Sequence, residues 1–273
     1  MTILVTGATG NVGRPLVERL LAAGHRVRAL TRDPARANLP EGARAVAGNL
    51  ADAGSLAAAF EGVTAAHLIT FDGADYSPLA NGPAIVAAAV EAGVRRVTVL
   101  QGGLSRSPLE EAVAASDLEW TFVGPVEFMS NVLEWAGSVK EEGVVRDGFP
   151  EARSAMVHDA DIAAVAAAAL TSGGHAGREY VVTGPEVFTT ADKVRVLGEV
   201  LGREIRFVEL SREQITAEWR RQGYSEEDVA FFLAVRADTP EVGRTVRPTV
   251  EQVTGRPPRT FRQWIEENAA AFS

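Results

Sequence analysis

Ile3-Leu4-Val5-Thr6-Gly7-Ala8-Thr9-Gly10-Asn11-Val12-Gly13 opens the chain and decides its fold. Ile3 to Val5 is a short apolar run of the kind a buried strand makes. The glycines follow at once. Val12, Leu16, Val17, Leu20 and Leu21 then recur at helical spacing until Gly24, and Val27 to Leu30 is a second apolar run. Strand, glycine turn, helix, strand is the context that a phosphate-binding turn requires. Gly7 permits the tight turn, Gly10 lets backbone approach a pyrophosphate, and Gly13 lets the helix pack closely on the sheet. Unbonded amides at the helix start and the helix dipole both favour a bound anion. The turn therefore predicts cofactor contacts from Gly7, Thr9, Gly10, Asn11, Val12 and Gly13. Its spacing is G-x-x-G-x-x-G, not the G-x-G-x-x-G of two-domain dehydrogenases.

Working outward, strand-like runs at 2–6, 26–31, 44–48, 64–70, 95–100 and 119–123 alternate with helix-like runs near 12–23, 53–61, 79–92 and 107–116. Asp52 and Ser77-Pro78 read as helix entries. Such alternation predicts an α/β fold, a doubly wound parallel sheet with helices on both faces. Right-handed crossovers would place any ligand along the strands' C-terminal edge. The second half is less regular. Helices are expected at 126–138, from Asp159 to before Gly173, at 190–201, 211–222, 225–235 and 261–272, with strands at 178–183 and 205–209. Ser225-Glu226-Glu227-Asp228 has the cap and the acidic first turn that a helix dipole prefers.

Composition narrows the function classes. The chain has 273 residues and a formal net charge of −9, with no cysteine and only two lysines, Lys140 and Lys193. The acidic balance does not suggest a nucleic-acid surface. Without cysteine there are no disulfides, thiolate nucleophiles or thiolate metal sites. No apolar stretch is long enough to span a bilayer, and no signal-type segment is visible, so a cytoplasmic protein is expected. No metal site is expected either, because no His/Asp/Glu cluster has ligand spacing.

Further stretches carry a family resemblance. They include Val27-Arg28-Ala29-Leu30-Thr31-Arg32-Asp33-Pro34, Ala47-Gly48-Asn49-Leu50, Glu119-Trp120-Thr121-Phe122 and Glu127-Phe128-Met129-Ser130-Asn131. Val157-His158-Asp159-Ala160-Asp161-Ile162-Ala163 and Tyr180-Val181-Val182-Thr183-Gly184-Pro185-Glu186 extend it. Together with the opening turn they resemble the NmrA-like group of atypical short-chain dehydrogenase/reductases. The match runs over roughly the whole chain and weakens across 211–259. It implies NAD(P)(H) binding, a Rossmann-type domain over 1–150, and a smaller α+β substrate lobe over 151–273, interleaved with the sheet. Members include quinone reductases, other small-molecule reductases and redox-sensing regulators without turnover.

Arg32 stands first past the second strand, where a carboxylate would read the ribose of NAD and an arginine the 2′-phosphate of NADP. It favours NADP(H) over NAD(H), and its alternative is a solvated charge paired with Asp33. Asn49 takes the place of an aspartate that the family usually has near the adenine, and Leu50 would pack on the ring. Thr70 and Phe71 close the fourth strand along the cofactor path, Phe71 as pocket wall or as core. The family usually carries an arginine where this chain has Gly124.

The Tyr-x-x-x-Lys pair of ordinary short-chain dehydrogenases is missing. Ala80, Gly184 and Asp228 stand four residues beyond the tyrosines Tyr76, Tyr180 and Tyr224, and Gln101 to Ser116 holds neither residue type. Reducing a simple ketone wants a positioned acid, whereas a quinone or conjugated enone wants one less. Gln101, Ser105, Tyr76 and His158 are the candidate assistants, Gln101 by hydrogen-bonding a substrate carbonyl. Surface and capping roles are the plain alternatives for Tyr76 and His158, and His67 reads as packed core. The function expected is an NADPH-dependent reductase of a quinone or other conjugated carbonyl. Alternatives are a cofactor-sensing regulator and a non-redox tailoring enzyme. The partner expected is a small-molecule substrate, and a homodimer is the candidate assembly.

Overall fold

The computed structural model describes residues 1–73, 77–103 and 105–273. The chain divides into two compact units, one of residues 1–125, 159–182 and 249–256, the other of 126–158, 183–248 and 257–273.

The first unit opens with β1 (Thr2–Val5), α1 (Gly13–Ala22), β2 (Arg26–Thr31), β3 (Arg44–Ala47), α2 (Ala57–Phe60) and β4 (Ala65–Ile69). It continues with α3 (Gly82–Glu91), β5 (Arg96–Leu100), α4 (Pro108–Ala114) and β6 (Glu119–Pro125). After β6 the chain enters the second unit for α5 (Ala136–Glu142), β7 (Val144–Asp147) and β8 (Arg153–Ser154). It returns for α6 (Asp159–Thr171) and β9 (Arg178–Val182). The second unit then takes β10 (Phe188–Thr189), α7 (Thr190–Leu201), β11 (Arg206–Glu209), α8 (Arg212–Arg221) and α9 (Glu226–Ala237). Last come α10 (Thr249–Thr254) in the first unit and α11 (Phe261–Asn268) in the second.

Seven strands of the first unit form one sheet in the order β3-β2-β1-β4-β5-β6-β9. Every pairing is parallel. This is the doubly wound α/β sheet the alternation predicts. β1 and β4 are buried at every residue, as a parallel sheet covered on both faces demands. Leu16, Val17 and Leu20 of α1 form its buried stripe. The order reverses between β1 and β4, the place where such sheets open a crevice beyond their strand ends. There Thr6 bridges the two strands: its hydroxyl donates to the His67 carbonyl at 3.0 Å and accepts from the Ile69 amide at 2.9 Å.

The second unit has its own core, in which Met129, Val145, Met156, Leu197, Phe261 and Trp264 are buried together. A smaller cluster joins Ile215, Trp219 and Val229, with Phe232 packed against it. β7 and β11 pair in parallel, β8 and β10 antiparallel.

Three expectations are corrected. No helix runs over 126–138. Met129 N–H donates to Val157 O at 2.9 Å and Val157 N–H to Glu127 O at 2.8 Å, which holds 127–129 extended. A 3₁₀ segment follows over Met129–Trp135, and only then α5. Ser77-Pro78 does not start a helix. Pro78 pairs with Phe71 in an isolated bridge, and α3 begins at Gly82 with a proline in its first turn. The unit boundary falls at Pro125 rather than near 150, and 159–182 and 249–256 go back to the first unit. Asp52 does cap, accepting from Gly54 N–H at 3.1 Å, and Ser225 with Asp228 forms a capping box.

Candidate functional site

The β1–α1 turn forms as its glycines require. Gly7 has φ +60°, a left-handed conformation that other residues adopt at a cost. A Cβ on Gly13 would lie 2.7 Å from Gly7 C and 2.9 Å from Ala8 Cα, so only glycine lets α1 start this close to β1. Gly10 differs. Its Cβ would meet nothing nearer than Gly7 O at 3.3 Å, so its side faces open space. Thr9, Gly10 and Asn11 are exposed, while Val12 and Gly13 are buried. Val12 stands at the N-cap of α1 and its side chain makes no capping bond, and no carboxylate stands in the first turn. A glycine turn leading into a helix start with no acidic side chain fits a pyrophosphate on sterics and on charge.

Arg32 stands directly after β2. Its guanidinium donates to Gly73 O at 2.9 Å and lies 3.7 Å from the Asp72 carboxylate. Its partner is thus Asp72, not Asp33, whose own side chain turns back to accept from Ala35 N–H. Arg32 remains half exposed, able to present donors to an anion. Arg14, in the first turn of α1, donates to Asn38 O in the loop after β2. It adds a cation at the start of α1.

Asn49 is half-buried. Its side-chain oxygen accepts from Ala51 N–H at 3.1 Å, which fixes the turn and leaves the amide nitrogen as the outward group. Leu50 is buried, and its carbonyl accepts from Asn81. Thr70 is buried, and its hydroxyl donates to Leu100 O at 3.4 Å. Thr70 Oγ1 and the Phe71 ring converge on Gly102, 3.2 and 4.0 Å from the Cβ that residue lacks. Phe71 is half-buried there.

Gln101 continues β5 by one backbone bond, its N–H donating to Val123 O at 2.9 Å. Its Nε2 donates to Glu110 Oε1 at 2.8 Å, so the side chain is held rather than free to seek a carbonyl. Glu110, only 2% exposed, was missed in the sequence. Ser107-x-x-Glu110 is legible there as a capping box, and the structure forms that box. Nothing local signals that the same carboxylate also grips Gln101.

The remaining candidates lie elsewhere. His158 belongs to the second unit, is buried, and has Nε2 3.1 Å from the Glu267 carboxylate. Tyr76 lies outside the described residues. His67 is fully buried, with Nδ1 2.8 Å from Thr98 Oγ1, and burial pulls its pKa down to about 4. In the second unit, burial works against a charged Glu127, but Lys193 at 2.6 Å and Arg236 hold its carboxyl below the usual range. That unit also contains a cavity of about 740 Å³ whose lining includes Phe149, Arg153, Leu210, Arg212 and Arg244. Phe149 there has φ +54°, a strained value for a bulky residue. Among the described residues no group of side chains is arranged to hold a metal ion, and no helix is long and apolar enough to cross a membrane.

Residues 1–99 match the NmrA-like family. Over its whole length the chain is similar to a (4-alkanoyl-5-oxo-2,5-dihydrofuran-3-yl)methyl phosphate reductase of Streptomyces griseus, 39% identical with 99% of each chain covered. It is also similar to an NAD(P)H azoreductase of Xenophilus azovorans, 34% identical with 99% of each covered. The fold superposes on an NADPH-dependent quinone oxidoreductase of Escherichia coli solved with NADPH, with a TM-score of 0.80. That pair is 22% identical, with 98% of this chain and 99% of the other covered. Full-length relatives at 39% and 34% identity, with the family match across the glycine turn, make the assignment: the chain belongs to the NmrA-like family.

Proposed function

We propose that the protein is an NADPH-dependent reductase of a small conjugated carbonyl compound. The observation that carries this is the full-length likeness to a reductase whose name describes a ring alkene conjugated with a carbonyl. The cradle of Gly7, Gly10 and Gly13 supports it, as does Arg32 past β2.

When bound, NADPH supplies a hydride to the electron-poor carbon of the substrate. The chain's own contribution is positioning. The β1–α1 turn takes the pyrophosphate, Arg32 the 2′-phosphate and Asn49 the adenine side. Thr70, Phe71 and Gly102 border the strand ends where the ring half would run. The sequence has no Tyr-x-x-x-Lys motif to protonate an alkoxide. The reading therefore requires a substrate whose reduced form is a stabilised enolate or phenolate, which water can protonate. Proximity then provides most of the rate.

Rapid mixing of protein and NADPH with a panel of quinones and acyl-butenolides tests this. Loss of reduced-nicotinamide absorbance that saturates with substrate is expected. A panel that leaves NADPH oxidation at the no-enzyme rate, with NADPH still bound, would overturn it in favour of a non-catalytic sensor.

A further inference from the structure

The orientation of the Gln101 amide is fixed by its neighbours. Glu110 Oε2 accepts from the Ser107 amide at 2.9 Å and from its hydroxyl at 2.7 Å, while Oε1 accepts from Gln101 Nε2 at 2.8 Å. A carboxylate only accepts, so the end of the Gln101 amide that faces it must be the NH₂. The oxygen end then points the other way, over Gly124. A Cβ there would stand 2.6 Å from Gln101 Oε1 and 3.6 Å from its Cδ. Glycine at 124 is what leaves room for this placement. The carbonyl end of Gln101 is therefore a fixed acceptor where β5 and β6 end. A substrate carbonyl would need a donor at that spot.

Strand order says what could reach it. The glycine turn lies at the end of β1, and Arg32 lies past β2 on one side of it. A dinucleotide with its pyrophosphate on the turn and its adenosine toward β2 must send its other half over β4 toward β5. Neighbouring strands are about 4.8 Å apart, so β5 is about 10 Å from β1, the reach of one nucleoside half. The nicotinamide ring carries a carboxamide whose NH₂ is a donor.

We propose that Gln101 Oε1 accepts a hydrogen bond from the nicotinamide carboxamide of the bound cofactor, with Glu110 and Gly124 as the residues that position it. This rests on the NADPH reading above. Gln101 thereby sets which ring substituent binds and how the ring is turned, and Glu110 acts only through it.

Equilibrium titrations separate the two ideas. The ligands are NADP⁺, its 3-acetylpyridine analogue, which has a carbonyl but no N–H at that substituent, and 2′,5′-ADP, which has only the adenine half. The wild-type protein should bind NADP⁺ about tenfold more tightly than the analogue, the value of one hydrogen bond. Gln101→Met should abolish that preference by weakening NADP⁺ alone. Gly124→Ala should do the same by displacing the amide. 2′,5′-ADP should bind all three proteins equally. A preference unchanged in Gln101→Met, with 2′,5′-ADP still bound, would overturn this assignment alone. Failure of the wild type to bind 2′,5′-ADP would bring down the cofactor reading and this one with it.

Discussion

Gly10→Ala separates the folding role of the turn from its binding role. Gly10 does not have a positive φ, and an added Cβ would find its nearest atom, Gly7 O, at 3.3 Å. That is tight but can be relieved by a few tenths of an ångström. The free protein should accept the methyl, with stability changed by no more than about 1 kcal/mol, because alanine also restricts the unfolded chain. Binding is different. The methyl would occupy the open side of the turn, where a pyrophosphate must meet backbone amides. Losing one charge-assisted bond of that kind costs about 1.5–3 kcal/mol, or about 10- to 150-fold in affinity. Calorimetric titration with NADPH, paired with a thermal melt of the free protein, reads both quantities. Gly13→Ala is the counter-case. Its Cβ would sit 2.7 Å from Gly7 C, so α1 would be pushed off β1 and the free protein itself should lose about 1–3 kcal/mol. If Gly10→Ala binds NADPH as the wild type does while folding normally, the phosphates do not lie on this turn and the reasoning fails.

Other outcomes follow from the same geometry. Arg32→Ala should weaken NADPH by about tenfold and leave NADH nearly unchanged, the low end for a charged contact because the side chain is half exposed and shared with Asp72. Equal losses for both nucleotides in a direct titration would refute the assignment of Arg32 to the 2′-phosphate. His67, held near pKa 4 in the fold against 6.5 when unfolded, makes the folded protein sensitive to acid. Its contribution is intact above pH 6.5. As pH falls from there to about 4 the unfolded chain takes up the proton first, and up to about 3 kcal/mol is lost. Urea melts of wild type and His67→Gln should diverge in their pH slope across that window, and parallel slopes would contradict it. Lys193→Met removes the partner of Glu127 in the second unit, where Lys193 is only 5% exposed. It should cost about 3–5 kcal/mol by denaturant unfolding, and a loss below about 1 kcal/mol would show that the pair is effectively solvated.

The elements legible in the sequence are those specified by their own residues. β1, α1 and β2 are marked by an apolar run, a helical stripe and glycines that only such a turn needs. The capping boxes of α4 and α9 are likewise local. What was not legible depends on partners distant in the chain. β7 is a strand because β11, some sixty residues later, pairs with it. Residues 127–129 are extended because of Val157. Six-residue α10 is too short for periodicity to register. At the site, Gly7, Gly10, Gly13 and Arg32 could be named from spacing. Glu110 could not, because its contact with Gln101 exists only once β5 and α4 are folded together. Asp72 as partner of Arg32, and Arg14 reaching Asn38, are contacts of the same kind.

The proposed function depends above all on backbone amides at the start of α1 holding the phosphates of a nicotinamide dinucleotide. Calorimetric titration of the wild-type protein with NADPH, NADP⁺, NADH and NAD⁺ tests it most directly. One site per chain is expected, with both 2′-phosphorylated forms bound more tightly than their counterparts. Absence of heat with all four, or equal affinity irrespective of the 2′-phosphate, would contradict it.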